Sequence, residues 1–105
     1  MEKPRILDNI RVIDMTQYLA GPTVTRMLAE MGAEIIKVER VPYGDPTRNY
    51  AIVHESGRSG YFVQQNRGKK SLCIDFDHPE GQRILQDLLK DADVFVENYG
   101  PGVLE

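Results

Sequence analysis

Four places along this 105-residue chain carry residue types suited to holding an anion. The first is Tyr18-Leu19-Ala20, which runs into Gly21-Pro22. A helix starting there presents unpaired backbone N–H groups and a partial positive charge, which suit phosphate or carboxylate. The same Gly-Pro pair can also serve only to turn the chain. The second place is Arg40, just beyond the apolar run Ile35-Ile36-Lys37-Val38. Its planar fork of donors matches phosphate, although an exposed strand-end arginine needs no ligand. The third is Asn66-Arg67-Gly68-Lys69-Lys70, where two lysines follow a glycine turn. They either neutralise an anion or solubilise a loop. With Arg58 they form a basic cluster in a polar, Gly-rich segment, a setting that faces an anionic ligand or plain solvent. The fourth is Glu97-Asn98-Tyr99-Gly100-Pro101-Gly102, where the Asn98 amide can both donate and accept, or simply shape a turn.

Other chemistries lack their residues. His54 and His78 are not spaced as metal ligands, and the single cysteine cannot complete a zinc site, so no metal is expected. Cys73 reads as a small core residue of a strand. G-x-S-x-G is missing, and with it the usual signature of a nucleophilic serine. Asp14 reads as a cap for the loop that follows it rather than as an acid or base. No catalytic residue is assigned.

The elements that must position these residues follow from apolar spacing. Asn9 to Met15 is predicted as a strand covered on both faces, since Ile10, Val12, Ile13 and Met15 are all apolar. A helix is predicted from about Pro22 to Met31, with Val24, Met27, Leu28 and Met31 as its apolar stripe. Pro22 suits the helix start and Gly32 its left-handed end. Glu34 to Val38 is a second strand, completing a βαβ unit of parallel strands. Val41 to Gly60 is irregular, punctuated by Pro42, Gly44, Pro46, Gly57 and Gly60. A short helix at Tyr61 to Gln65 and a turn at Asn66 to Lys70 lead to a strand over Ser71 to Phe76. A helix starts near Pro79, capped by Asp77 or His78, with Ile84, Leu85, Leu88 and Leu89 on its apolar face. A last strand surrounds Val94-Phe95-Val96, and Pro101 to Glu105 resembles the first turn of another helix. The order predicts an α/β fold: a Rossmann-like, mainly parallel open sheet. The turn after the first strand lacks both G-x-G-x-x-G and the P-loop lysine pattern, so the usual glycine cradle for a dinucleotide or triphosphate is not expected.

Length allows one small domain. A net charge of −3 gives no reason to expect nucleic acid. No apolar run approaches membrane-spanning length, and Met1-Glu2-Lys3-Pro4-Arg5 leads into no apolar leader core. One cysteine cannot make an internal disulfide, and a cytoplasmic location is expected.

Seven segments in series resemble one family, the class III CoA-transferases, also called CaiB/BaiF. They are Leu7 to Asp14, Ala20-Gly21-Pro22, Leu28 to Arg40, Gly44 to Arg48, Asn66 to Leu72, Pro79-Glu80-Gly81 and Glu97 to Glu105. The family includes formyl-CoA transferase, carnitine CoA-transferase and α-methylacyl-CoA racemase. The resemblance implies a Rossmann-like large domain, of which residues 1–105 would be the N-terminal, CoA-binding part, and two chains interlocked as a dimer. It implies that coenzyme A lies across the carboxyl ends of the strands. Tyr18, Leu19 and Ala20 would then border CoA and its thioester, and Arg40 would meet a CoA phosphate. Ile74 and Asp75 would line the adenine side, and Asn98 and Tyr99 would flank the pantetheine. Many relatives carry arginine where this chain has Gly100, and some carry lysine where it has Asp77. The aspartate on which the transferases form covalent intermediates lies downstream of the Pro101 to Glu105 segment and is not among these residues.

Two readings follow. In one, the chain is the N-terminal, CoA-holding portion of a CoA-transferase, or alternatively of a racemase-type enzyme, inactive alone because its nucleophile is missing. It would pair with the absent C-terminal portion or with itself, because parts of the Val24, Met27 and Leu89 faces would lie uncovered. In the other, it is a standalone α/β module without the chemistry.

Overall fold

The computed structural model describes residues 4–50 and 54–101. Its strands are β1 (Arg11–Met15), β2 (Glu34–Arg40), β3 (Lys70–Ile74) and β4 (Val94–Glu97). Its helices are α1 (Ala20–Glu30), α2 (Gly60–Asn66) and α3 (Pro79–Lys90), with a 3-10 turn at Pro46–Asn49. All four strands run parallel, in the order β3-β2-β1-β4. The α/β, Rossmann-like parallel sheet expected from the residue pattern is the fold.

Strand alternation explains the two layers. Ile13 and Met15 of β1, Val38 of β2 and Ile74 of β3 point to one face, where Leu85, Leu88 and Leu89 of α3 cover them. Val12 and Ile35 point to the other, with Ala33, and meet Leu28 and Ala29 of α1. Full burial of each such side chain contributes about 1.5–3 kcal/mol, and these clusters hold β1 and β2 as the fully covered centre of the sheet.

The register is plain. Ile13 sits between Ile36 of β2 and Phe95 of β4. β3 and β4 are the edges, and β4 leaves Val94 and Phe95 partly exposed.

Several expected details shift. α1 begins at Ala20, so Pro22 occupies its third position, still within the first turn where its missing N–H costs nothing. Gly32 ends the helix region with φ +107°, open to glycine and unfavourable for other residues. The apolar stripe of α1 divides. Leu28 faces the sheet with Gly21, Pro22, Thr25 and Ala29, whereas Val24, Met27 and Met31 point outward. Small and hydroxyl-bearing residues on the inner side let α1 approach polar groups of β1.

Cys73 is exposed rather than core, because β3 is an edge strand whose second face is left open at that point. Within the irregular region, Asp45 accepts from the Thr47 N–H at 2.9 Å and caps the 3-10 turn. The Val41–Pro42 peptide bond is cis. Ser59 caps α2. His78 caps α3, its Nδ1 accepting from the Glu80 N–H at 3.1 Å. Most of the helical turn expected over Pro101 to Glu105 lies outside the described residues.

Candidate functional site

β2 lies on one side of β1 and β4 on the other, so the chain order reverses at β1. Open parallel sheets bind ligands in the crevice that such a reversal leaves at the strands' carboxyl ends. Here Thr16, Gln17, Val38, Arg40 and Tyr99 line a seam with no room for a water molecule.

Asn98 closes one end of it. Its Oδ1 accepts from the Gln17 N–H at 2.9 Å, and its Nδ2 donates to the Gln17 carbonyl at 2.8 Å. The amide expected from the sequence as a ligand group therefore joins the loops after β1 and β4 to each other. Tyr99 follows it, half-buried against the α3-side core, its N–H donating to Glu97 Oε2 at 2.9 Å.

The loop from Thr16 to Ala20 forms the near wall. Tyr18 has φ +67°, a left-handed conformation that costs a non-glycine residue about 1 kcal/mol or more and that tends to gather at functional loops. Its ring stands edge-on to Tyr50, which stands edge-on to Tyr61, with centroid separations of 6.4 and 5.5 Å. Leu19 and Ala20 are exposed beside it. Leu19 takes the N-cap position of α1 without a side-chain cap, leaving the first-turn N–H groups without that partner. Gly21 is needed for closeness: a Cβ there would lie 2.5 Å from the Thr16 side chain.

Beneath that loop lies a buried set of charges. Lys69 Nζ meets Asp14 Oδ2 at 2.9 Å, and Lys37 Nζ meets Asp45 Oδ2 at 3.0 Å. All four side chains are at most 2 % exposed. The same two ammonium groups hold the loop's ends. Lys37 donates to the Thr16 carbonyl at 2.8 Å and Lys69 to the Pro22 carbonyl at 3.1 Å. Asp14 also accepts from the Thr16 N–H at 2.8 Å and the Thr25 hydroxyl at 2.6 Å. Burial alone raises the Asp14 pKa, but Lys37, Lys69 and the Thr16 and Thr25 hydroxyls outweigh it and hold this carboxyl below its ordinary value. Asp14 is thus a loop cap, as expected, with an ion pair the sequence did not reveal.

A third buried carboxylate, Glu39, accepts from Arg48 Nε at 2.7 Å and its NH2 group at 2.6 Å, from the Ser71 hydroxyl at 2.7 Å and from the Asp45 N–H at 2.9 Å. Burial pushes its pKa up, yet these donors bring it down to about 2. The Arg48 guanidinium also lies 4.0 Å from the Phe62 ring centroid, tying α2 to the same layer.

Arg40 stands apart. It is exposed at the carboxyl end of β2, and its NH2 group donates to both Asp77 oxygens, at 2.9 and 3.2 Å. Asp75 is exposed in the turn after β3 and accepts from the Asp77 N–H at 3.0 Å. The Ile74 side chain is buried in the core, and its carbonyl accepts from the Val41 N–H at 3.1 Å.

The basic cluster disperses. Lys69 is buried, Arg67 pairs with Glu30 at 2.8 Å and Lys70 with Glu34 at 2.9 Å. Arg58 lines a separate surface cavity of about 200 Å³ with Arg48, Phe62 and Val63. Gln17, Asp45 and Glu39 escaped sequence reasoning. The one available signal was Asp45-Pro46-Thr47, a cap followed by proline at a helix start. Among the described residues no group of three or more His, Cys, Asp or Glu side chains could hold a metal, and no helix is long and apolar enough to cross a membrane.

Comparison with known proteins adds a consistent result. The model of CoA-transferase family III matches residues 7–105. The chain is 46% identical over 98 residues to succinyl-CoA:glutarate CoA-transferase of Mus musculus, covering 93% of this chain and 22% of that protein. It is 44% identical over 101 residues to formyl-CoA:oxalate CoA-transferase of Rhodopseudomonas palustris (strain BisA53), covering 96% of this chain and 24% of that protein. The crystal structure of a CaiB/BaiF family protein from Brucella suis superimposes with a TM-score of 0.88 at 39% identity, over 97% of this chain and 28% of that one. The chain thus spans about a quarter of the length of the relatives it matches.

Proposed function

This chain belongs to CoA-transferase family III, and on that premise we propose that its strand ends hold a coenzyme A thioester. The carrying observation is the reversal of strand order itself, with the exposed Arg40 on one side of it and the Gln17–Asn98 clasp on the other. A CoA molecule offers phosphates and a long, thin pantetheine arm. Arg40 supplies a planar cation for phosphate. The uncapped first turn of α1 supplies N–H groups beside Tyr18, Leu19 and Ala20, suited to the polar end of a thioester. Asp75 and the backbone around Ile74 flank the far side, and Asn98 and Tyr99 the arm. The buried lysines hold the loop and are not themselves ligands. Residues 1–105 serve in this reading as the N-terminal part of the CoA-holding domain.

The relatives' names describe movement of CoA between acyl-CoA and carboxylic acids. We infer the same reaction class for a whole protein carrying this segment, with a racemase-type reaction on a CoA thioester as the alternative. In this reading the segment binds and orients, and the 105-residue chain alone is expected to show no transferase or racemase activity. The outward Val24, Met27 and Met31 face of α1 is covered, in the same reading, by further chain or by a second copy. Calorimetry of the chain with CoA tests the central point. Micromolar binding that disappears in Arg40→Ala supports it, and no heat at millimolar CoA overturns it.

A further inference from the structure

Part of the Arg40 fork is already engaged. Its NH2 group holds both oxygens of Asp77, at 2.9 and 3.2 Å. Asp77 is itself held, because its N–H donates to Asp75 Oδ1 at 3.0 Å in the tight turn between β3 and α3. Asp75 and Glu97 add two more carboxylates to the carboxyl ends of β3 and β4, close to the strand ends that Arg40 serves. The neighbouring cations are engaged elsewhere: Lys37 with Asp45, Lys69 with Asp14 and Arg48 with Glu39. Among the described residues, a phosphate arriving at these strand ends therefore meets chiefly Arg40, one nitrogen of which already holds a carboxylate.

We propose that Asp77 is a specificity-determining residue, an internal rival that competes with a phosphate for the Arg40 guanidinium. This rests on the CoA-holding reading above. The pair is exposed, 51% for Arg40 and 78% for Asp77, so it is screened by water and opens readily. The rival therefore tunes affinity and does not block the site. It weakens ligands that depend on a phosphate at Arg40 and leaves ligands without that phosphate unaffected. A lysine at this position would do the opposite, adding a second cation.

Four chains test it by calorimetry at low salt: the unaltered chain, Asp77→Asn, Arg40→Ala and the double variant. The probe is CoA, with dephospho-CoA and pantetheine run alongside to show which phosphate is involved. Asp77→Asn is expected to tighten CoA about two- to fivefold, to leave pantetheine unchanged, and to have no effect once Arg40 is alanine. Equal tightening in both Arg40 backgrounds would show general removal of negative charge and overturn the rivalry. Unchanged CoA affinity in Asp77→Asn, with affinity lost in Arg40→Ala, also overturns it while leaving the CoA site standing. If neither the unaltered chain nor Asp77→Asn binds at millimolar CoA, both readings fail. If only Asp77→Asn binds, both are supported.

Discussion

Lys69–Asp14 and Arg40–Asp77 are both ion pairs with contacts of 2.9 Å, and both are held by the same sheet. The first pair is 2% and 0% exposed, the second 51% and 78%. That difference decides what each can do. A buried charge is stable only while its partners stay in place, since desolvation costs several kcal/mol per ion. Lys69 and Asp14 are consequently fixed, and they fix the loop they touch. An exposed charge loses little when its partner leaves, because water replaces it. Arg40 can therefore exchange Asp77 for a ligand oxygen. In the proposed reading the buried pairs are scaffold and the exposed pair is site.

The strongest way to break this contrast is to cut a buried pair. Lys69→Met leaves Asp14 charged, buried and short of its nearest cation. The expected loss is about 3–5 kcal/mol, a large part of the stability of a domain this size. Urea unfolding followed by circular dichroism measures it. A loss under about 1 kcal/mol would place Lys69 in the same class as Arg40 and remove the distinction.

Acid probes the same layer through Glu39. Its ordinary value of 4.5 falls to about 2 in the folded chain. A carboxylate depressed on folding stabilises the chain above its unfolded pKa, and that stability drains as pH drops toward the folded value. Unfolding free energy is expected to fall between about pH 4.5 and pH 2, by at most about 3 kcal/mol from this group. The half-exposed Arg48 partner loses some of that to solvent. Asp14, also depressed, acts in the same direction. Arg48→Met should flatten the acid slope, and an unchanged slope would remove Glu39 as its source.

Gly21→Ala tests how tightly scaffold and site are joined. The new Cβ would stand 2.5 Å from the Thr16 side chain, so either the loop or α1 must move. Overpacking of this kind costs about 1–3 kcal/mol. CoA affinity should fall with it, because Thr16 to Ala20 shifts. Lost stability with CoA affinity retained would separate the loop from the site.

What was legible in the sequence divides along the same line. Period-two and period-3.6 patterns showed the strands and helices because apolar burial writes them directly. The position of Arg40 at a strand's carboxyl end was legible for the same reason. The buried ion pairs were not. Asp14 and Lys69 are 55 positions apart in the chain and meet only once β1, α1 and the turn before β3 are packed. Two lysines after a glycine turn looked equivalent, yet Lys69 is enclosed and Lys70 lies on the surface with Glu34. The outer stripe of α1 misled because the helix buries its small and hydroxyl side, where Thr25 reaches Asp14. Cys73 misled because period-two alternation does not reveal that a strand is an edge.

Arg40→Ala carries the smallest stability effect and the sharpest functional one. Removing one partner of an exposed pair should change stability by no more than about 1 kcal/mol, within a few degrees in Tm for a domain of this length. Asp77 then faces water and needs no replacement partner. CoA binding should nevertheless weaken severely, because the strand ends lose their exposed guanidinium. A stability loss comparable to that of Lys69→Met would mean that Arg40 is also scaffold, and its pairing with Asp77 would then be structural rather than exchangeable. Thermal unfolding and calorimetry on the same preparation separate the two outcomes, since a structural arginine moves both measurements and an exchangeable one moves only the second.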